Sequence, residues 1–326
     1  MKQEANGIHD LTAAVDSPSQ WLIDAFSVPR TSGRIEVNTC DIQYYRWGNP
    51  DKPSLVLMHG FLAHSGCWAF IAPFLANNFD VIAFDMSGMG DSGWRETYGD
   101  EVRSSELIEF CNQFKLFDKE QKPIIATHSY GGRVASYAIS NNPDLFGGLI
   151  ICDLMIIRPS ILAKHQDKFR APGVRDPKKQ NRVYPDLDTA KKRFVLSPPQ
   201  EANEPELFDF MAYHSLRPKD GGWQWKFDPN LFSKAPDSNV DWSSLGEFIN
   251  ELPIKKAIIF GEKSMLFTPD SVDYMTELMQ ENNEQYFPLV GIPDAHHHLM
   301  LDQPLAFLSA LRAILATWTA GNEYRN

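Results

Sequence analysis

The chain has 326 residues, 43% of them hydrophobic and 12% aromatic, which is enough apolar material for a large core and excludes a wholly disordered chain. A formal net charge of −11 and a pI of about 5.3 set its surface against phosphate backbones and anionic lipid, so neither nucleic acid nor a membrane surface is an expected partner. No apolar run is long enough to span a bilayer, residues 1–16 lack the basic start and apolar stretch of a secretory signal, and Cys40, Cys67, Cys111 and Cys152 form no CxxC pair; the reading is a cytoplasmic protein with reduced thiols.

Residues 1–33 read as a loosely ordered lead-in. From residue 34 the pattern turns to β: 34–37 and 42–47, closed by Gly48-Asn49-Pro50, predict a hairpin at a sheet edge. Residues 54–58 suit a strand buried on both faces, followed by a predicted helix over 68–77. A strand over 81–84, a Gly-rich loop over 85–93 and a helix over about 100–117 come next. Residues 123–127 predict a third buried strand, 132–141 carry helical spacing at Val134, Tyr137 and Ala138, and 149–152 predict a fourth strand. This alternation argues for a mostly parallel, doubly wound α/β sheet.

The rhythm breaks over 158–240, which is polar, Pro-rich and aromatic, with helical stretches near 160–170, 187–196 and 205–216. Within it Lys191, Lys192 and Arg193 form a basic patch that reads as a solvated helix face. The rhythm resumes with a strand over 257–260, a helix over 269–280, a strand over 285–290 and a last helix over 304–319. That helix has Asp302 as its expected N-cap, Pro304 in its first turn and Gly321 beyond its end. The expected division is a lead-in (1–33), a sheet core built from 34–157 and 241–326, and a helical insertion (158–240).

Chemistry concentrates at Thr127-His128-Ser129-Tyr130-Gly131-Gly132, where a buried strand ends and a helix begins. A serine on so tight a turn has its hydroxyl pushed out above the sheet edge, and its neighbours two before and two after must be small. Gly131 meets that need; Thr127 is larger, so either the turn opens slightly or the threonine packs sideways. The following helix offers free N–H groups and a partial positive charge to a developing oxyanion.

The segment resembles the nucleophile elbow of the α/β-hydrolase superfamily. His59-Gly60-Phe61 resembles the oxyanion loop of that family, and Asp85-Met86-Ser87-Gly88-Met89-Gly90-Asp91-Ser92 resembles its Asp-x-x-Gly-x-Gly-x-Ser loop. Ala295-His296-His297-His298 with Pro304 resembles its terminal histidine loop, where the histidine precedes a proline by seven positions, and this selects His297. The resemblance spans roughly 34–159 and 257–319. It implies an α/β-hydrolase fold with a helical lid inserted after the strand that follows the elbow. It also implies Ser129 as nucleophile, His297 as base, and the backbone N–H groups of Phe61 and Tyr130 as the oxyanion hole. At the family's usual acid position, in Gly261-Glu262-Lys263-Ser264, Ser264 stands where an Asp is expected. Asp153, at the end of the strand after the elbow, offers the placement seen in haloalkane-dehalogenase-type relatives; Glu262 is the alternative. His59 is expected to brace the oxyanion loop, His128 to pack beside the nucleophile, and Asp85, Gly88 and Gly90 to shape a turn behind the site.

Adjacent histidines point in different directions, so His296–His298 does not read as a metal site, and no cofactor is expected. The aromatic residues of the insertion read partly as a pocket over Ser129, with Phe208, Tyr213, His214 and Trp223 as candidate lining, and partly as the insertion's own small core. The sequence thus reads as a serine hydrolase acting on a small-molecule ester through an acyl-enzyme, working as a monomer or homodimer. Two rivals stay open: a cofactor-free oxygenase or C–C bond hydrolase of the same fold, and a ligand-binding member without catalysis.

Overall fold

A computed structural model describes residues 11–164, 180–201, 203–235, 241–281 and 286–320. Among the described residues ten strands form in chain order: β1 (Arg30–Val37), β2 (Cys40–Trp47), β3 (Ser54–Met58), β4 (Asp80–Phe84), β5 (Ile124–His128), β6 (Gly148–Cys152), β7 (Leu216–Lys219), β8 (Gly222–Trp225), β9 (Lys256–Gly261) and β10 (Leu289–Ile292). Eight of them make one sheet in the order β1-β2-β4-β3-β5-β6-β9-β10; β1 and β2 pair antiparallel to their neighbours and all other pairs are parallel.

The short apolar runs become strands because both their faces are covered. β3, β4, β5 and β6 are buried at every position. Alternate residues feed two separate cores, as the period of two requires. Leu55, Leu57, Ala126 and Ile150 face one core with Phe307 and Leu311 of the helix Pro304–Ala320. Val56, Met58, Ile125 and Ile151 face the other, with Phe110 of the helix Asp100–Gln113 and Val134 of the helix Tyr130–Asn141. The sheet order reverses around β3, and in such sheets the functional crevice lies at the carboxyl ends of the strands.

Several local expectations are corrected. The lead-in is ordered where it is described: helices Leu11–Ala14 and Gln20–Ser27 bury Leu22 and Ala25 completely, and Ser19 donates through its N–H (2.8 Å) and hydroxyl (2.6 Å) to Glu206. β1 starts at Arg30, ahead of the expected residue 34. The helix expected over 68–77 is two 3₁₀ turns, Ser65–Trp68 and Ala72–Phe74; Pro73 lacks the N–H an α-helix would need there. The helix expected over 187–196 stops at Lys191, and the one expected to reach residue 216 ends at His214. Beyond it lies the hairpin β7–β8, so the insertion between β6 and β9 is mixed and not purely helical. Its turn is Asp220-Gly221, both at positive φ (47° and 79°), the pairing that a tight hairpin turn favours. Asp302 does not cap the last helix: it closes the short helix Leu299–Asp302, and the first backbone bond of the last helix runs from Phe307 N–H to the Gln303 carbonyl. Residues 165–170, Gln285 and Gly321 of the expected elements lie outside the described residues.

Candidate active site

Ser129 follows β5 directly and opens the helix Tyr130–Asn141. Its backbone sits at φ 49° and ψ −122°, a conformation that costs a non-glycine residue on the order of 1–3 kcal/mol and persists only where the surroundings enforce it. Those surroundings are visible. The Ser129 N–H donates to the Cys152 carbonyl (2.9 Å), its own carbonyl accepts from Gly132 N–H (2.8 Å), and two glycines let the neighbouring loop lie against the turn. A Cβ on Gly131 would come within 2.8 Å of the His59 carbonyl. One on Gly60 would come within 3.2 Å of Ser129 Cβ and 2.9 Å of His128 Nδ1. Thr127 packs sideways: its hydroxyl donates to the Ile150 carbonyl across to β6 (3.2 Å).

At the same sheet edge Asp153 follows β6, also at positive φ (50°), and its N–H extends the ladder to the Ile259 carbonyl of β9 (2.8 Å). Its fully buried carboxylate accepts three hydrogen bonds. His297 Nδ1 (2.8 Å) and the Ser264 hydroxyl (2.6 Å) reach Oδ1, and Gly261 N–H (2.8 Å) reaches Oδ2. With Nδ1 as the donor, Nε2 is the basic nitrogen of His297. Glu262 is exposed on the β10 side, beside Gly291. Of the two carboxylates the sequence offers, Asp153 is the one bonded to His297. Ser264, which the sequence reading left without a role beyond filling the expected acid position, donates to Asp153.

Ser129 and His297 are brought to one edge through His128. The Nε2 of His128 donates to the His297 carbonyl (3.0 Å), and the two rings lie 4.7 Å apart. Among the described residues no hydrogen bond joins the Ser129 hydroxyl to His297 Nε2; such bonds often tighten only when substrate is bound. Likewise the N–H groups of Phe61 and Tyr130 carry no hydrogen bond among the described residues, while their rings meet edge to face at 5.5 Å. His59 braces this side. Its Nδ1 donates to the Gly60 carbonyl (2.7 Å) and its Nε2 accepts from Met86 N–H (2.9 Å). Complete burial pushes its pKa down to about 4, so it is neutral and its tautomer is fixed by these bonds. Asp85 anchors the turn behind: it accepts from Ser65 N–H (2.7 Å), the Ser65 hydroxyl (2.6 Å) and Asp91 N–H (2.8 Å). A Cβ on Gly90 would collide with it.

The three consecutive histidines take three different partners. His296 donates its N–H to Asp302 Oδ2 (2.7 Å), His297 meets Asp153, and His298 Nε2 meets the Ser197 carbonyl (3.3 Å). Gln200 of the insertion joins them, donating to Asp302 Oδ2 (2.9 Å) and accepting from His298 N–H (2.9 Å). The sequence reading missed Gln200, which lies 98 residues from its partner and carries no local signal.

A cavity of ≈ 340 Å³ opens beside His128 and Phe61, walled by Phe194, Met211, Trp225 and Phe227 of the insertion and by His298. None of the four expected lining residues borders it. Phe208 stacks its edge on Phe194, Tyr213 packs on the core beneath, His214 lies buried against Phe210, and Trp223 joins the small cluster around Tyr184. The reason is periodicity. On the helix Pro205–His214, positions 207, 210, 211 and 214 share one buried face, and Met211 on that face, with Ser215 one turn on, also borders the cavity, whereas 208 and 213 lie to either side of it.

Residues 55–311 match the sequence profile described as the alpha/beta hydrolase family, and the chain belongs to that family. It is 23% identical to a serine hydrolase-like protein of Danio rerio over 82% of this chain and 83% of that one. It is also 23% identical to an sn-1-specific diacylglycerol lipase of Danio rerio over 82% and 80%. A match to an uncharacterized hydrolase of Bacillus subtilis, at 25% identity, spans 36% of this chain and 42% of that protein. Among solved structures, an esterase from Mycobacterium tuberculosis superposes with a TM-score of 0.69 at 19% identity, covering 96% of this chain and 99% of that one, a likeness of fold.

Proposed function

We propose that this protein is a serine hydrolase that cleaves a small-molecule ester through an acyl-enzyme, with Ser129 as nucleophile, His297 as general base and Asp153 as the orienting acid. The observation that carries the reading is the Asp153–His297 hydrogen bond at one strand end beside the strained elbow of Ser129 at the next. His297 Nε2 takes the hydroxyl proton as Ser129 attacks the carbonyl, and returns it to the leaving group; water then attacks the acyl-enzyme with His297 again as base. The N–H groups of Phe61 and Tyr130 receive the oxyanion, each donor contributing about 3 kcal/mol. The inserted segment 158–240 acts as a lid over the cavity, and the protein works in the cytoplasm as a monomer or homodimer. Turnover of 4-nitrophenyl acetate tests the reading: Ser129→Ala should lower kcat by at least ~10³-fold, whereas full activity in that variant contradicts it.

One observation favours a second reading. His297 is oriented by Asp153 without a hydrogen bond to Ser129. The pair alone could act as the base of a cofactor-free oxygenase or C–C bond hydrolase. Proton abstraction that survives Ser129→Ala but not His297→Ala would support it.

A further inference from the structure

We infer that the cavity takes esters whose apolar body carries a carboxylate, and that Arg193 at its wall recognises that carboxylate; the inference rests on reading this site as the hydrolase site. Phe194, Met211, Trp225 and Phe227 suit the apolar body. The charge around it is one-sided. In a chain with 42 acidic and 31 basic residues, no Asp or Glu lines this cavity among the described residues, while Arg193 and Lys226 both do. Three histidines also line it, and burial pushes all three down, His298 to about 3 and His64 and His128 well below their ordinary value. They are therefore neutral near pH 7 and neither supply nor offset charge there.

The two cations are not equivalent. Lys226 Nζ is engaged by Asp91 at 2.8 Å, so its charge is balanced. Arg193 forms no ion pair within 4.0 Å among the described residues. Within the basic run Lys191 lies 3.8 Å from Asp209, while Lys192 and Arg193 are both exposed; of the three, Arg193 is the one that also borders the cavity. The main chain at Arg193 is held beside the cavity. Its N–H donates to the Ala190 carbonyl (2.9 Å), and the adjoining Phe194 ring is held by Phe208 (5.0 Å) and Trp225 (6.2 Å). An exposed guanidinium at the rim of apolar walls, with no counter-ion among the described residues, favours a planar anion that can take two N–H donors, which a carboxylate does.

The test compares the 4-nitrophenyl monoester of octanedioic acid with the same ester capped as its methyl ester. The free acid should have the higher kcat/KM by about fivefold. That ratio should fall to about one at about 1 M salt and in Arg193→Gln, and Arg193→Glu should invert it. A ratio near one in the unaltered protein, or one indifferent to Arg193→Gln, overturns the inference. Calorimetric binding of monomethyl and dimethyl octanedioate to Ser129→Ala separates this claim from the catalytic one. Preference for the acid that needs Arg193, found without Ser129-dependent turnover, keeps the carboxylate site and removes the nucleophile; equal binding removes the site.

Discussion

Asp153 holds His297 with an oxygen that also accepts from Ser264, while Gly261 N–H takes the other oxygen. A carboxylate held by three donors stays in place when the imidazole beside it takes a proton, so it keeps that ring oriented. Asp153→Asn should therefore reverse the tautomer preference of His297 and lower kcat by roughly 10⁴-fold, as loss of an orienting Asp does in such systems, whereas Glu262→Gln, exposed on the far side, should leave kcat within about twofold. Steady-state kinetics of the two variants decides the assignment, and a larger loss in Glu262→Gln would reverse it. Ser264→Ala removes one donor and should lower kcat by about tenfold with KM little changed. At this scale the sequence was informative where chemistry forces residue types into a local pattern. Ser129, Gly131, His59 and Gly60 could be found because a sharp elbow and a close loop demand them. Ser264 could be seen only as a missing acid; its function as a donor depends on a partner 111 residues away.

Elements position these residues through long-range clamps. Gln200 ties the insertion to the histidine loop by bonding Asp302 and the His298 N–H together. Gln200→Ala should leave Asp302 and that N–H under-bonded and loosen His297, lowering kcat by about tenfold, with the thermal midpoint falling only slightly. A loss confined to the midpoint, with kcat untouched, would make Gln200 purely structural. The buried strands were legible because doubly covered strands leave continuous apolar runs, and the core helices because their spacing is regular. The insertion was less so. Its Asp220-Gly221 turn was a readable hairpin signal, but Phe208 and Trp223 have the same composition as Phe194 and Trp225, and only packing decides which rings reach the cavity. The order of the two helices over 11–14 and 20–27 was hidden for a similar reason: Leu22 and Ala25 are few, and their burial depends on the packing they join.

For the whole molecule, burial of ionisable groups sets the response to pH. His59, His64, His128 and His298 are all held below their ordinary value of 6.5 by desolvation, His59 to about 4 and His298 to about 3. The unfolded chain takes up protons at these positions before the folded one does. Their contribution is thus complete above about 6.5 and is lost as the pH falls through the folded values. Asp85 opposes them: burial, aided by Asp91, raises it from 3.8 to about 6, so its contribution is present below 3.8 and is lost as the pH rises through about 6. Four groups outweigh one. Urea midpoints should fall between about pH 7 and about 4.5, by at most ~1.4 kcal/mol per pH unit for each histidine, and Asp85→Asn should steepen that fall. A flat profile, or a shallower one in Asp85→Asn, would contradict this assignment. Among the described residues no helix is long and apolar enough to cross a membrane.

The central claim is that the hydroxyl on the elbow after β5 is the reacting atom. Treating the protein with a fluorophosphonate and locating the adduct by peptide mass measures this directly. A single stoichiometric adduct on Ser129, absent in His297→Ala, is the predicted result. An unmodified Ser129 in active protein, or an adduct on another residue, would contradict it.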